Sequence, residues 1–361
     1  MTDVSADDLV VTGAGVVTPW GDVPEVAAVA GGEPATGAGG WFDHRERLGP
    51  RGYKYLPPAA RYAIAAARGA LADGGRPHAV PAERRGLLLA TNAGLADLFD
   101  TMDATVAGPG AAGISPSSAP YFAVNVLGNR LALELGLNGF ALTVATARTA
   151  ALDALSVAAL VLASGRADTL VLAATEEPLP DGRGGGGEQG AAVLTLETPA
   201  GARARGSAVR ATVRARSLFL PPAALADPAG RTRAARALAA ALAELAVPED
   251  PAAVHLDLDG SPVAAAVAAA VAAHRPAPPR DSAPPGRPAV DPAPRAGCLG
   301  PALAVAHAAT ARDGGSRLVV CATGAGQVAL VRASPVTAPS VPPAPVQPPH
   351  RTQESEHAEV A

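Results

Sequence analysis

The strongest constraint on the fold is a series of short apolar runs with no polar face, separated by alanine-rich stretches of helical length. Residues 9–17, 86–91, 142–145, 169–173 and 191–196 are apolar on what would be both faces of a strand. Strands of that kind need helices on either side, so the pattern predicts an α/β protein. Residues 61–73 form an alanine-rich helix stopped by Gly74 and Gly75, and 149–164 an apolar helix closed by Gly165. The span 142–173 therefore reads as one strand-helix-strand unit, which packs as a right-handed parallel crossover. Gly13 and Gly15 read as the exit of a first strand that turns sharply. The grammar then repeats: strand 209–216, helix 231–245, strand 254–258, helices 262–273 and 301–311, and a closing pair of strands at 318–321 and 328–331. Residues 275–295 hold too many prolines for a ladder or a helix interior. From Ser334 to the end the chain is polar and Pro-rich, which predicts a disordered tail.

A chain of 361 residues exceeds the usual size of one core, so two units are expected, 1–200 and 201–333, followed by the tail 334–361. The net charge of −4 comes with a single lysine, Lys54, and no clustered basic face, which argues against nucleic acid as a partner. No apolar run reaches the ~20 residues of a membrane span. Residues 1–8 lack the basic and apolar regions of a signal peptide, and two cysteines form no disulfide framework, so a cytoplasmic setting is expected. The glycines at 184–187 lack the Lys-Ser/Thr of a phosphate loop and read as a flexible turn. No cofactor or metal is called for.

Four stretches, in order, carry a resemblance. They are Val10-Val11-Thr12-Gly13-Ala14-Gly15; Phe122-Ala123-Val124-Asn125 with Gly136-Leu137-Asn138-Gly139; Thr143 to Arg148 through Asp153 to Gly165 and Asp168; and Gly187-Glu188-Gln189-Gly190. Together they resemble the β-ketoacyl synthases of the thiolase superfamily over roughly residues 9–333. The resemblance implies a thiolase-like fold, two related halves in an αβαβα layered arrangement. In condensing members a cysteine nucleophile sits on the turn that Arg148 occupies here, and two histidines assist it. A guanidinium stays protonated and cannot carry an acyl chain. The best register places Asp257 at the first histidine position, with His255 there after a two-residue shift, and Cys298 at the second.

That pattern is similar to the chain length factor, the non-condensing subunit that pairs with an active ketosynthase in type II polyketide synthases, of the polyene or aromatic kind. Such subunits commonly hold a glutamine where this chain holds Arg148. The chain is also shorter than usual before residue 60 and lacks a phenylalanine near Gly324 and Gly326. The resemblance implies a ketosynthase partner, acyl carrier protein reached through the complex, and no catalytic residues of its own. It also implies a steric gate to the acyl tunnel on the helix at 94–102, where Leu95, Leu98 and Met102 share one face and Phe99 neighbours it. Ordinary core packing would use the same spacing.

Two readings of Arg148 stand side by side: a side chain reaching solvent, or a buried cation paired with Asp257 or Asp259. Cys321, inside an apolar strand, reads as core. His274 and His307, on alanine-rich helices, read as surface or interface residues. Rival functions are an acyltransferase or decarboxylase using Cys298 or His255, and a homodimeric scaffold.

Overall fold

A computed structural model describes residues 8–24, 40–74, 79–179, 188–248, 251, 253–274 and 297–336. Nine strands are hydrogen-bonded in the order β3-β2-β4-β5-β1-β6-β9-β8-β7. In the first half these are β1 (Leu9–Val17), β2 (Arg85–Ala90), β3 (Ala141–Val144), β4 (Thr169–Glu176) and β5 (Gly190–Glu197). In the second they are β6 (Ala211–Phe219), β7 (Ala253–Leu258), β8 (Arg317–Ala322) and β9 (Gln327–Pro335). The β2–β3 and β2–β4 ladders are parallel and β5 runs antiparallel to both its neighbours. Likewise β7–β8 is parallel and β9 is antiparallel to β6 and β8. The set β7, β8, β9, β6 thus repeats β2, β4, β5, β1, and in the sheet the two halves meet where residues 9–11 of β1 pair with 211–213 of β6.

Besides one short turn of helix at His44–Arg47, the helices among the described residues are α1 (Pro58–Gly74), α2 (Ala96–Ala107), α3 (Asn125–Leu135), α4 (Ala150–Ala163), α5 (Pro199–Arg205), α6 (Pro228–Glu244), α7 (Pro262–His274) and α8 (Leu299–Thr310). One core holds Leu152 and Leu155 of α4 together with Val305 and Ala306 of α8 and strand residues from both halves. A second lies under α1 and α3, around Ile64, Leu127 and Leu131. A third lies under α6 and α7, around Leu238, Leu242 and Val267. Helix, sheet, paired helices, sheet and helix therefore stack in five layers, with α4 and α8 in the middle. Small side chains on the middle pair, such as Ala154, Ala158, Ala302 and Ala309, let the two halves of the sheet close on it from both sides.

Two expectations are corrected. The first strand spans Leu9–Val17 as expected, but it does not turn at Gly13 and Gly15; it only shifts register between Val11 and Gly13. Its glycines are there because α1 lies directly on them: a Cβ on Gly13 would stand 2.2 Å from the Ala70 carbonyl oxygen, and one on Gly15 2.1 Å from that of Ala66. The tail does not begin at Ser334, because Ser334 and Pro335 belong to β9 and pair with Thr212 and Ala211. A proline that ends a strand sacrifices no interior ladder bond. The segments 275–295 and 184–187 and the rest of the tail lie outside the described residues, apart from Val336.

Candidate functional site

The strand β3 leads through residues 145–149 into α4, and the chain reverses at Arg148. Arg148 has φ +56°, a left-handed conformation unusual for a residue with a side chain, and the Thr149 amide donates to the Ala147 carbonyl at 2.5 Å across it. Such an elbow lifts one side chain clear of strand and helix. Asp153 braces it: its carboxylate accepts from Thr149 Oγ1 (2.7 Å), Thr146 Oγ1 (3.0 Å) and Ser217 Oγ of β6 (2.6 Å).

Arg148 is buried, and its guanidinium donates to Asp257 Oδ1 near the end of β7, which is equally buried. The solvent-reaching alternative for Arg148 is thereby set aside in favour of the pair. Asp259, two residues on, accepts from the Ser261 amide (3.0 Å) and from Gly324 in the β8–β9 turn. Its partial burial works upward on its pKa, but those bonds and the Arg148 charge hold the carboxyl below its ordinary value. His255 lies two positions before Asp257 on β7, half-buried and opposite Val319 of β8.

The third position, Cys298, is fully buried at the N-terminal end of α8. Its amide donates to Glu176 Oε1 (2.9 Å), while the Leu299 and Gly300 amides donate to the two oxygens of Glu188 (2.8 Å each). Two carboxylates thus occupy the positive end of the central helix, where anions are stabilised. Glu176 also accepts from the Asn92 and Ala93 amides at 2.9 and 2.7 Å. Burial pushes Glu176 up, and burial plus the Glu176 charge pushes Glu188 up to about 7. Burial and the same two carboxylates raise the Cys298 thiol well above its ordinary value, which suppresses the thiolate a nucleophile needs. Cys321 on β8, opposite Asp257, is buried, and burial together with the Asp257 charge raises its thiol well above the ordinary value. Gly297 is confined by the cluster, since a Cβ there would stand 2.4 Å from Glu188 Oε2.

Glu176 and Glu188 went unread in the sequence as site residues. The one signal was position: carboxylates at the boundaries of two otherwise apolar runs, where a charge is ordinarily taken as the point at which a strand meets water. The residues marked as a gate separate from one another. Leu95 and Leu98 pack into the core under α1, Met102 is also buried, and Phe99 is exposed. His274 Nε2 lies 3.0 Å from the Val247 carbonyl, and His307 is half-buried on α8. Among the described residues no group of three His, Cys, Asp or Glu side chains could hold a metal ion, and no helix is long and apolar enough to cross a membrane.

Five layers, an internal repeat and an elbow between the third strand and the central helix define a thiolase-like ketosynthase fold. The sequence profile of the β-ketoacyl synthase N-terminal domain matches residues 26–211, more than half of the chain, and the chain belongs to that family. Among solved structures it is similar to the ishigamide ketosynthase/chain length factor, with a TM-score of 0.70 and 22% identity over 91% of this chain and 99% of that one. It is also similar to a type II polyketide synthase acyl-carrier protein complex with its ketosynthase bound to the hexaketide (0.68, 18%, 92% and 100%). A β-ketoacyl synthase from Burkholderia phymatum matches as well (0.62, 15%, 91% and 99%). No curated protein matches the chain.

Proposed function

We propose that this protein is a non-condensing subunit of the chain-length-factor kind, which pairs with an active ketosynthase and shapes its acyl tunnel in type II polyketide synthesis. The observation that carries the reading is the buried Arg148–Asp257 pair. At the elbow where condensing relatives place a thiolate stands a permanent cation, and the first histidine position supplies its counterion. A guanidinium has no lone pair with which to attack an acyl thioester, so Arg148 cannot take the place of the nucleophile. The elbow geometry survives while the chemistry it once served has been replaced.

The sheet edge supports a partner. Strand β3 is bonded on one side by β2 and stands at the end of the sheet order. Leu142 on it, Leu133 on α3 and Leu160 on α4, the two helices that pack against it, are exposed, the last two by 73% and 72%. An edge that pairs with no further strand among the described residues, flanked by apolar side chains, is a surface that another chain covers. A similar ketosynthase docking there gives the pseudo-symmetric interface expected of such a pair. Within that complex Phe99, the exposed member of the gate group, is the side chain of α2 best placed to meet a partner's tunnel.

Incubating the protein alone with malonyl- and acyl-carrier thioesters, followed by intact-mass analysis, tests the chemistry. No acylated cysteine and no released carbon dioxide are expected; acylation of Cys298 would replace this reading with the acyltransferase one. Co-expression with a ketosynthase that retains its cysteine and histidines tests the partnership, with a 1:1 complex expected. Within that complex Phe99→Ala is expected to lengthen the product.

A further inference from the structure

In the first half, an open cavity of about 460 Å³ is not used by the reading above. Its wall carries Trp41, Phe42 and Tyr62, with Asp97, Glu177 and Gln189. The Tyr62 ring lies 4.9 Å from Trp41 at 35° and 5.0 Å from Phe42 at 75°, so the three rings pack as one block. Trp41 is fixed by a 2.9 Å hydrogen bond from its Nε1 to Gln189 Oε1. Glu177 is 2% exposed. Its Oε1 accepts from the Asp97 amide at 3.1 Å, whereas Oε2 is buried without a hydrogen-bond partner among the described residues. Asp97 adds an exposed carboxylate at the first turn of α2, and among the described residues no lysine, arginine or histidine lines the cavity.

A buried acceptor oxygen left open costs free energy, and a ligand that fills it recovers that cost. Two carboxyl groups and a fixed aromatic block with no lining base favour a positive charge, which interacts with both carboxylate and ring face. The volume falls within the range of small-molecule sites. We propose that this cavity binds a small organic cation, an alkylammonium whose charge sits between Glu177 and Asp97 and whose carbons lie against Trp41 and Tyr62. Proton linkage supports the assignment. Burial pushes Glu177 up to about 8, helped by the Asp97 and Glu176 charges and opposed by the Asp97 and Ala59 amides. Arg61 of α1 acts on Tyr62, and Gln189 is neutral. Binding a cation therefore drives a proton from Glu177, and affinity rises with pH.

The test is calorimetric titration of the full-length protein with n-butylammonium chloride, with n-butanol as the neutral isostere and potassium chloride as the ionic-strength control. Saturable binding of the ammonium is expected with a dissociation constant on the order of 1 mM, as befits so small a probe. Glu177→Gln and Asp97→Asn should each weaken it, Glu177→Gln by about tenfold or more. Affinity should increase from about pH 6.5 to about pH 8.5, with proton release visible as a buffer-dependent enthalpy. Equal binding of butanol, an unchanged affinity in both variants, or no saturable heat would each overturn the proposal. Asp97 is exposed, so Asp97→Asn keeps the test valid if Glu177→Gln fails to fold. Association with a ketosynthase is read separately and does not depend on the outcome.

Discussion

At the scale of single residues, the elbow holds the most consequential substitution. Arg148 carries two costs, a left-handed backbone and a charge withdrawn from water, and Asp257 offsets the second. Removing either partner leaves a lone buried charge, so Arg148→Ala and Asp257→Ala are each expected to lose roughly 3–5 kcal/mol of stability. The double variant should lose much less than the sum. Urea unfolding of the four proteins measures the coupling, and additivity within about 0.5 kcal/mol would mean that the pair does not act as one. Arg148→Cys should not create a condensing enzyme, because Asp257 and Cys298 still stand at the histidine positions; single-turnover malonyl decarboxylation would reveal any exception.

At the scale of elements, what could be read in the sequence and what could not divide on one physical line. Strands and helices announced themselves because burial on both faces demands uninterrupted apolar runs, and Arg231-type alanine helices need only a period and a stop. Thus 142–173 was legible as β3, α4 and the first part of β4, which runs three residues further, to Glu176. The pairing of Arg148 with Asp257, 109 positions apart, was open to inference only because the resemblance set both at one site. The roles of Gly13 and Gly15 were not legible, since a glycine for close helix approach and one for a turn look alike in sequence. Gly15→Ala should separate these uses. A methyl group 2.1 Å from a carbonyl oxygen must push α1 off β1, at a cost of roughly 1–3 kcal/mol or more by thermal melting, whereas a turn glycine with negative φ would tolerate alanine. The exposed edge gives the opposite expectation. Leu160→Asp combined with Leu142→Lys should leave unfolding within about 0.5–1 kcal/mol of the parent while preventing co-purification with a ketosynthase. Retained association would place the partner elsewhere.

For the whole molecule, the balance of buried and exposed carboxyls determines how stability follows pH. Asp168 is held below its ordinary value mainly by the hydrogen bond from Arg84, and Glu134, despite partial burial, by Tyr53 and Arg68. These favour the folded state above the ordinary carboxylate value and lose their contribution as pH falls below it. Glu176, Glu177 and Glu188 act in the other direction. Burial raises all three, the last two to about 8 and about 7, so the folded chain binds protons that the unfolded chain has already released. Their contribution is intact below the ordinary value of about 4.5 and is lost as pH rises through the folded values. The melting temperature should therefore peak on the mildly acidic side and decline from about pH 5 to about pH 8, where many globular proteins are near their optimum. Glu188 alone accounts for roughly 2–3 kcal/mol of that decline. Glu188→Gln keeps one acceptor for the α8 amides and removes the ionisation, so its melting curve should be flatter over the same range and cross that of the parent. A parent protein whose stability rises toward pH 8 would show that Glu176 and Glu188 are ionised at little cost, stabilised by the α8 terminus more strongly than burial penalises them.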